Sequence, residues 1–188
     1  MSDTEQLPVV YLKPGEMHCT EKPMVVVTVL GSCLSVTMFN RRRGLGCICH
    51  GLLPHCSRPM NREVECPDGL RYVDYSIRQM VKVFDRHDVP RSEIEVKCFG
   101  GADMFTQKNG NRGPVSIGKQ NIVAAEKTLA SEGLVPRVKD VGGRQGRKIL
   151  FYTHTGEVLL KRLSSNPDII SQEIMKLGHP ASELKEKK

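Results

Sequence analysis

The chain has 188 residues, of which 39% are hydrophobic and 26% charged, and its formal net charge is +7. This composition is typical of a soluble globular protein, and the length suits one domain with a core of its own. Residues 1–14 lack the basic and apolar regions of a signal peptide, and the apolar run over residues 24–30 is far shorter than the about 20 residues that span a bilayer. Four Tyr, five Phe and no Trp leave little surface on which nucleic-acid bases could stack. We therefore expect a cytoplasmic protein that binds no nucleic acid and inserts into no membrane.

Patterns of apolar residues predict eight strands and three helices. The strands are predicted over residues 9–13, 24–30, 34–39, 45–50, 94–99, 134–141, 147–153 and 157–163. Apolar residues at helical spacing predict helices over 73–84, 117–133 and 166–178. Glycines at 142 and 143 predict a hairpin between the sixth and seventh strands, and Thr155-Gly156 predicts another turn. Because strands and helices do not alternate, we expect a single α+β domain of packed layers and no doubly wound nucleotide-binding sheet.

Seven cysteines lie at positions 19, 33, 47, 49, 56, 66 and 98. Their odd number and the absence of a secretion signal argue against a disulfide framework, and several thiols are expected in the core. The four cysteines between positions 47 and 66 lack the paired C-x2-C spacing of structural zinc sites. The sequence therefore predicts neither a metal site nor a cofactor.

One cysteine stands where a strand is predicted to end. The run of β-branched residues before it stops at Gly31-Ser32-Cys33, and seventeen positions later His50 ends another predicted strand. A thiol and an imidazole are the two groups a cysteine hydrolase needs, and free backbone amides at Ser32 and Cys33 would bind a developing oxyanion. A packed thiol and a structural histidine would produce the same pattern. The alternation of side chains along a strand turns His50 away from Cys47 and Cys49, which leaves Cys33 as its better partner.

Several motifs in the same order resemble those of the CheD family, the chemoreceptor glutamine deamidases of bacterial chemotaxis. They are TVLGSC (28–33), GLGCICHGLLP (44–54), KCFGGADMF (97–105), IGKQN (117–121), DVGGRQGRKILF (140–151) and TGEVLLKRL (155–163). The resemblance implies a three-layer α/β/β fold with mixed sheets, shared with cytotoxic necrotizing factor toxins. It also implies a cofactor-independent cysteine hydrolase, a protein-glutamine glutaminase. Its substrates would be methyl-accepting chemotaxis receptors, in which selected glutamines become glutamate with release of ammonia.

The resemblance also implies boundaries along the chain. Residues 1–23 would be an N-terminal extension with one strand, residues 24–163 the CheD-like deamidase domain, and residues 164–188 a C-terminal helix with a frayed basic tail. A non-catalytic adaptor that binds receptors or the CheC protein is the alternative function.

Residue by residue, the resemblance assigns the nucleophile to Cys33 and the general base to His50. The family often has a threonine six residues before the nucleophile, where this chain has Val27, with Thr28 one step later. Thr28 is therefore the candidate for the third role if the strand is shifted or bulged, because simple alternation would otherwise turn its side chain the wrong way. The implied mechanism passes through a thioester on Cys33, and the same site would also hydrolyse a glutamate methyl ester.

Two glycines follow the fifth predicted strand. Gly100 and Gly101 suit either a structural turn with positive φ or the wall of a substrate groove. We predict that they form a substrate or partner surface, with Phe105 as an exposed anchor for CheC, since the family's contact with CheC is associated with this neighbourhood.

Overall fold

The computed structural model describes residues 7–56, 66, 68–103, 115–163 and 172. The strands in this part of the chain are β1 (Val9–Tyr11), β2 (Met17–Thr20), β3 (Val25–Leu30), β4 (Leu34–Asn40), β5 (Leu45–Cys49), β6 (Glu95–Gly100), β7 (Pro136–Val141), β8 (Arg147–Tyr152) and β9 (Val158–Arg162). The α-helices are α1 (Val73–Arg86) and α2 (Ile117–Ser131). Among these helices, none is both long and apolar enough to cross a membrane.

The strands form two mixed sheets. Four strands lie in the order β1-β3-β8-β9, and five lie in the order β2-β5-β4-β6-β7. The pairs β1–β3 and β6–β7 are parallel, and every other pair is antiparallel. Both helices pack on one face of the five-stranded sheet, whose other face packs on the four-stranded sheet. The predicted three-layer α/β/β architecture is therefore confirmed.

Each pair of adjacent layers encloses its own apolar cluster. The cluster between helices and sheet includes Leu34, Val36, Met38, Ile77, Met80, Phe84 and Leu129. The cluster between the two sheets includes Val26, Leu30, Ile48, Phe99, Ile149 and Phe151. On the outer face of β3, Val25, Val27 and Val29 form a third cluster with Leu163. Because β3 is buried on both faces, its sequence is a continuous β-branched run with no polar alternation.

The helices follow from the apolar periodicity. In α1, Val73, Ile77, Met80, Val81 and Phe84 are all buried on one face, as their helical spacing predicts. Ser116 caps α2, since its hydroxyl oxygen accepts from the Lys119 amide. The third predicted helix, over 166–178, lies outside the described residues except for Gln172, which is helical.

Strand β2 is not among the strands predicted from the sequence. Its four residues alternate apolar Met17 and Cys19 with polar His18 and Thr20, a run too short to predict a strand, and they pair antiparallel with β5 at the edge of the five-stranded sheet. The segment before residue 24 therefore contributes two strands, one to each sheet, where one was predicted. Backbone pairing with a neighbouring strand determines this element, and a short edge strand requires little apolar patterning.

The hairpin predicted at Gly142-Gly143 is wrong. Strand β7 pairs with β6 in the five-stranded sheet, whereas β8 pairs with β3 and β9 in the other sheet. Arg147, only 2% exposed, stabilises this connection between the two sheets. Its guanidinium donates to Asp140 Oδ1 at 2.7 Å and to the carbonyl of Gly142 at 2.7 Å. A glycine-rich turn has the same local sequence pattern in a hairpin and in a connection between two sheets. Only the strands that pair with β7 and β8 distinguish the two cases. The other predicted turn, at Thr155-Gly156, does join the antiparallel strands β8 and β9.

The expectation that the cysteines form no disulfides is wrong in one place. Cys19 and Cys47 lie directly opposite each other in the β2–β5 pair, with their Cα atoms 4.1 Å apart, and form a disulfide. The missed strand explains the error, because without β2 nothing in the sequence brings Cys19 beside Cys47. Cys49 and Cys98 are free buried thiols in the helix-facing cluster, as core thiols were expected to be.

Candidate active site

The chain crosses from one sheet to the other at Cys33. Strand β3 ends at Leu30 in the four-stranded sheet, and β4 begins at Leu34 in the five-stranded sheet. Between them, the carbonyl of Gly31 accepts from the Ala102 amide at 2.9 Å, and the carbonyl of Cys33 accepts from the Gly101 amide at 2.8 Å. The turn that carries the half-buried Cys33 is therefore fastened to the end of β6.

Gly100 and Gly101 form the support behind this turn. Their φ angles are +106° and +65°, which favour glycine, and a Cβ on Gly100 would collide with the carbonyl oxygen of Cys33. Both residues are buried, and their role as a substrate or partner surface stays a prediction. The alternative, a turn with positive φ and close backbone approach, is what the structure has. Phe105 lies outside the described residues.

His50 shares a face of the five-stranded sheet with Cys33. Leu34 and Gly51 exchange two backbone hydrogen bonds of 2.9 Å in the same register as the rest of the β4–β5 pair. This register places Ser35 opposite His50. Cys33 packs against the cluster between the two sheets, and His50 is only 1% exposed.

The predicted separation of the cysteines from His50 is confirmed. Cys47 and Cys49 belong to the cluster under the helices, whereas the neighbouring Ile48 faces the four-stranded sheet. By the same alternation His50 faces the four-stranded sheet, and its ring contacts Thr28 there.

Thr28 connects the two sheets at this point. Its Oγ1 lies 2.8 Å from Nδ1 of His50 and 2.9 Å from the carbonyl oxygen of Leu12. The hydroxyl has one hydrogen and the carbonyl can only accept, so the hydroxyl donates to Leu12 and accepts from Nδ1–H of His50. This assignment leaves the lone pair of His50 on Nε2, which has no hydrogen-bond partner among the described residues.

The expectation that Thr28 points the wrong way without a bulge is wrong. Strand β3 pairs with β8 residue for residue from Val25 to Leu30, with no shift in register. Thr28 falls on the inner face with Val26 and Leu30, while Val27 faces outward. The error came from counting back from the nucleophile: residues 31–33 form a turn, where strand alternation does not apply. The register of β3 with β8 determines which of its residues face inward.

Burial keeps both reactive groups neutral in the resting protein. It raises the pKa of the Cys33 thiol to about 11, although the adjacent Cys33 backbone amide acts in the opposite direction. Burial also lowers the pKa of His50 to about 4. Near pH 7 the pair is therefore a thiol and a neutral imidazole. The hydroxyl of Ser35, opposite His50, is likewise buried and has no hydrogen-bond partner in the described part of the chain.

Asn121 is a residue of this site that the sequence analysis did not identify. It is fully buried on α2, and its Nδ2 donates to the carbonyls of Ser32 and Leu52, both at 3.0 Å. One side-chain amide therefore bonds to the turn before Cys33 and to the segment after His50. The available signal was a polar residue on the apolar face of a predicted helix, between Gly118 and Ala125. The described residues contain no cluster of three His, Cys, Asp or Glu side chains suited to a metal ion.

The fold and this arrangement define an α/β/β protein in which a half-buried thiol and a threonine-bound imidazole share one face of a sheet. A family model described as CheD chemotactic sensory transduction matches residues 52–162. The chain belongs to the CheD family.

Several known proteins are similar to this chain over most of its length. The probable chemoreceptor glutamine deamidase CheD 2 of Geobacter sulfurreducens is 48% identical, over 85% of this chain and 92% of that protein. The probable chemoreceptor glutamine deamidase CheD of Maridesulfovibrio salexigens is 40% identical, over 84% of this chain and 93% of that protein. The protein of the same name from Oleidesulfovibrio alaskensis is 38% identical, over 85% of this chain and 74% of that protein.

Proposed function

We propose that this protein is a protein-glutamine deamidase that acts in the cytoplasm on methyl-accepting chemotaxis receptors. It would convert selected glutamine side chains to glutamate and release ammonia, and its relatives are named as probable chemoreceptor glutamine deamidases. The observation that carries the proposal is the hydrogen bond between Thr28 and His50 Nδ1. It leaves a basic Nε2 on the same sheet face as the Cys33 thiol.

In the first half of the reaction, Nε2 of His50 takes the proton of the Cys33 thiol as the sulfur attacks the carboxamide carbon of a receptor glutamine. Because the thiol and imidazole begin neutral, this proton transfer accompanies the attack. The carbonyl oxygen becomes an oxyanion beside the backbone amides of the turn at Ser32 and Cys33. When the tetrahedral intermediate collapses, the imidazolium protonates the leaving nitrogen, ammonia departs and a thioester remains on Cys33.

In the second half, water replaces ammonia. Nε2 of His50 takes a proton from a water molecule that attacks the thioester carbonyl, and collapse of the new intermediate yields glutamate and the Cys33 thiolate. The thiolate then recovers its proton from the imidazolium. Throughout, Thr28 accepts the Nδ1–H bond and is held in turn by Leu12, so the ring keeps its orientation while its charge changes. A glutamate methyl ester would react by the same steps, with methanol leaving instead of ammonia.

Purified receptor cytoplasmic fragments test this proposal. Wild-type protein should release ammonia and convert glutamine to glutamate in peptides identified by mass spectrometry. Cys33→Ala and His50→Ala should each abolish conversion while receptor binding persists. Cys56→Ala and His87→Ala, which change the same residue types outside the site, should leave conversion unchanged. Continued conversion by Cys33→Ala would exclude Cys33 as the nucleophile.

The adaptor alternative predicts a different result. A protein that binds receptor fragments tightly but converts none of their glutamines would be an adaptor and not a deamidase. The reason for suspecting weakened catalysis was Val27 at the family's threonine position, and Thr28 now removes that reason because its hydroxyl contacts His50. Contact with CheC remains a prediction, since Phe105, its proposed anchor, lies outside the described residues.

A further inference from the structure

Asn121 holds the peptide bond that leads into Cys33. Its Nδ2 donates to the Ser32 carbonyl at 3.0 Å, and its second hydrogen serves the Leu52 carbonyl at the same distance. Two carbonyl acceptors fix which end of the side-chain amide is nitrogen, because an oxygen there would repel both. The amide sits in the interior with 0% exposure, so no water competes for these bonds.

The direction of the Ser32 carbonyl determines the direction of the Cys33 amide. The described peptide bonds are all trans, and in a planar trans peptide the C=O and the following N–H point in opposite directions. Because Asn121 draws the Ser32 carbonyl toward α2, the Cys33 N–H points away from α2. That N–H lies beside its own sulfur and donates to no carbonyl in the described part of the chain.

We propose that Asn121 is the positioning residue of the oxyanion site: it aims the Cys33 amide at the position where the carboxamide oxygen of the substrate gains charge. This inference rests on the proposed deamidase function. Asn121 touches neither substrate nor reacting atoms, and it acts through the Ser32–Cys33 peptide. Its second bond, to Leu52, fixes the turn relative to the segment that carries His50. Preorganised donors of this kind stabilise the transition state because they need no reorientation as charge develops.

Two reactions distinguish this role from a general structural one. They are deamidation of the glutamine substrate and alkylation of Cys33 by iodoacetamide. Deamidation develops charge on a carbonyl oxygen, whereas alkylation is a displacement at a saturated carbon and develops none. Asn121→Ala should lower kcat about 100-fold, with KM within about threefold of wild type, since the amide matters chiefly in the transition state. At each pH from 6 to 9, the rate of Cys33 alkylation in Asn121→Ala should stay within about threefold of the wild-type rate.

Ser76→Ala is the matched control. Ser76 is also fully buried on a helix and donates to a backbone carbonyl, that of Leu70 at 2.9 Å, but it does not contact the catalytic segments. It should lower stability by a similar amount without changing kcat. If Asn121→Ala does not fold, Asn121→Ser, which is smaller and has one hydroxyl in place of the amide, must show the same separation of kcat from alkylation.

Two results would overturn the inference. One is a kcat for Asn121→Ala close to that of wild type. The other is a parallel loss of deamidation and alkylation, which would mean that the nucleophile itself is misplaced. Neither result is confused with failure of the proposed function, because in that case wild-type protein would convert no glutamine at all.

Discussion

The Oγ1 of Thr28 lies 2.8 Å from Nδ1 of His50, so a hydroxyl on the four-stranded sheet orients an imidazole on the five-stranded sheet. The carbonyl oxygen of Leu12, which follows β1, accepts a hydrogen bond from the Thr28 hydroxyl, and the two oxygens are 2.9 Å apart. Three separate segments therefore determine which nitrogen of one ring is basic. The orientation of this imidazole depends on the packing of the two sheets and not on any local motif.

Replacement of Thr28 should change the tautomer of His50 more than the stability of the fold. In Thr28→Val the shape is kept but Nδ1–H loses the Thr28 hydroxyl as acceptor and has only the Leu12 carbonyl left, so we expect kcat to fall roughly 10- to 100-fold, a part of what general acid–base catalysis contributes. Thr28→Ser restores the hydroxyl and should recover most of the activity. Nitrogen NMR shifts of the imidazole should report a fixed Nδ1–H tautomer in wild type and a mixture in Thr28→Val. Unchanged activity in Thr28→Val would remove Thr28 from the site.

The folded protein should lose stability as pH falls from about 6.5 to about 4. Burial lowers the pKa of His50 to about 4, so in this window the unfolded chain binds a proton there that the folded protein does not. The free energy of unfolding should fall by about 3 kcal/mol across the window from this group. Denaturant unfolding of wild type and His50→Gln at several pH values measures it. Because the burial-lowered pKa of His18 affects both proteins equally, the difference isolates His50, and identical slopes would contradict the assignment.

Alkylation of Cys33 should keep accelerating well above neutral pH. The thiol pKa is raised to about 11, so the thiolate fraction increases tenfold per pH unit through pH 9 instead of levelling off near 7. Peptide mass spectrometry after brief treatment with iodoacetamide follows Cys33 separately from the other thiols. A rate that is already maximal at pH 7 would show a preformed thiolate–imidazolium pair and rule out a neutral resting state.

Gly100→Ala should damage the site far more than an alanine at another glycine with positive φ. Gly100 and Gly44 have φ angles of +106° and +66°, but a Cβ on Gly44 meets no atom within 4 Å, while one on Gly100 would collide with the Cys33 carbonyl. Gly44→Ala should cost about 1 kcal/mol of stability from backbone strain alone. Gly100→Ala should cost several times as much, about 3 kcal/mol or more, and should also reduce kcat. Equal effects of the two changes on melting temperature and kcat would show that the turn at Cys33 moves easily to make room for the added Cβ.

The Cys19–Cys47 disulfide should make stability depend on redox conditions. It closes a loop with a sequence separation of 28, for which loop-closure entropy predicts a stabilisation of about 3–4 kcal/mol. Cys19→Ala should therefore melt at a lower temperature than wild type under oxidising conditions, and dithiothreitol should remove most of the difference. Cys56→Ala, at a free half-buried cysteine, is the control and should respond little. A wild-type melting temperature that does not change with reductant would contradict a stabilising disulfide.

Most of the regular elements could be predicted because their apolar patterns are local. Strand β3 is an unbroken apolar run apart from Thr28, and α1 buries residues at helical intervals, so each pattern identified its element. Strand β2 alternates over only four residues, and it is its pairing with β5 that identifies it. The turn at Gly142 was predicted, but the sheet to which the chain continued was not.

By itself, the sequence determined most of the elements, the buried face of α1, and the placement of Cys33 on a turn and His50 at a strand end. These follow from the alternation of side chains within one strand or helix, which depends on the order of residues alone. Only the tertiary structure decided that Thr28 meets His50, that Gly100 supports Cys33 from behind, and that Asn121 holds Ser32. Those contacts join segments from different layers, and the relative position of layers is set by the packing of whole faces, which no local pattern encodes.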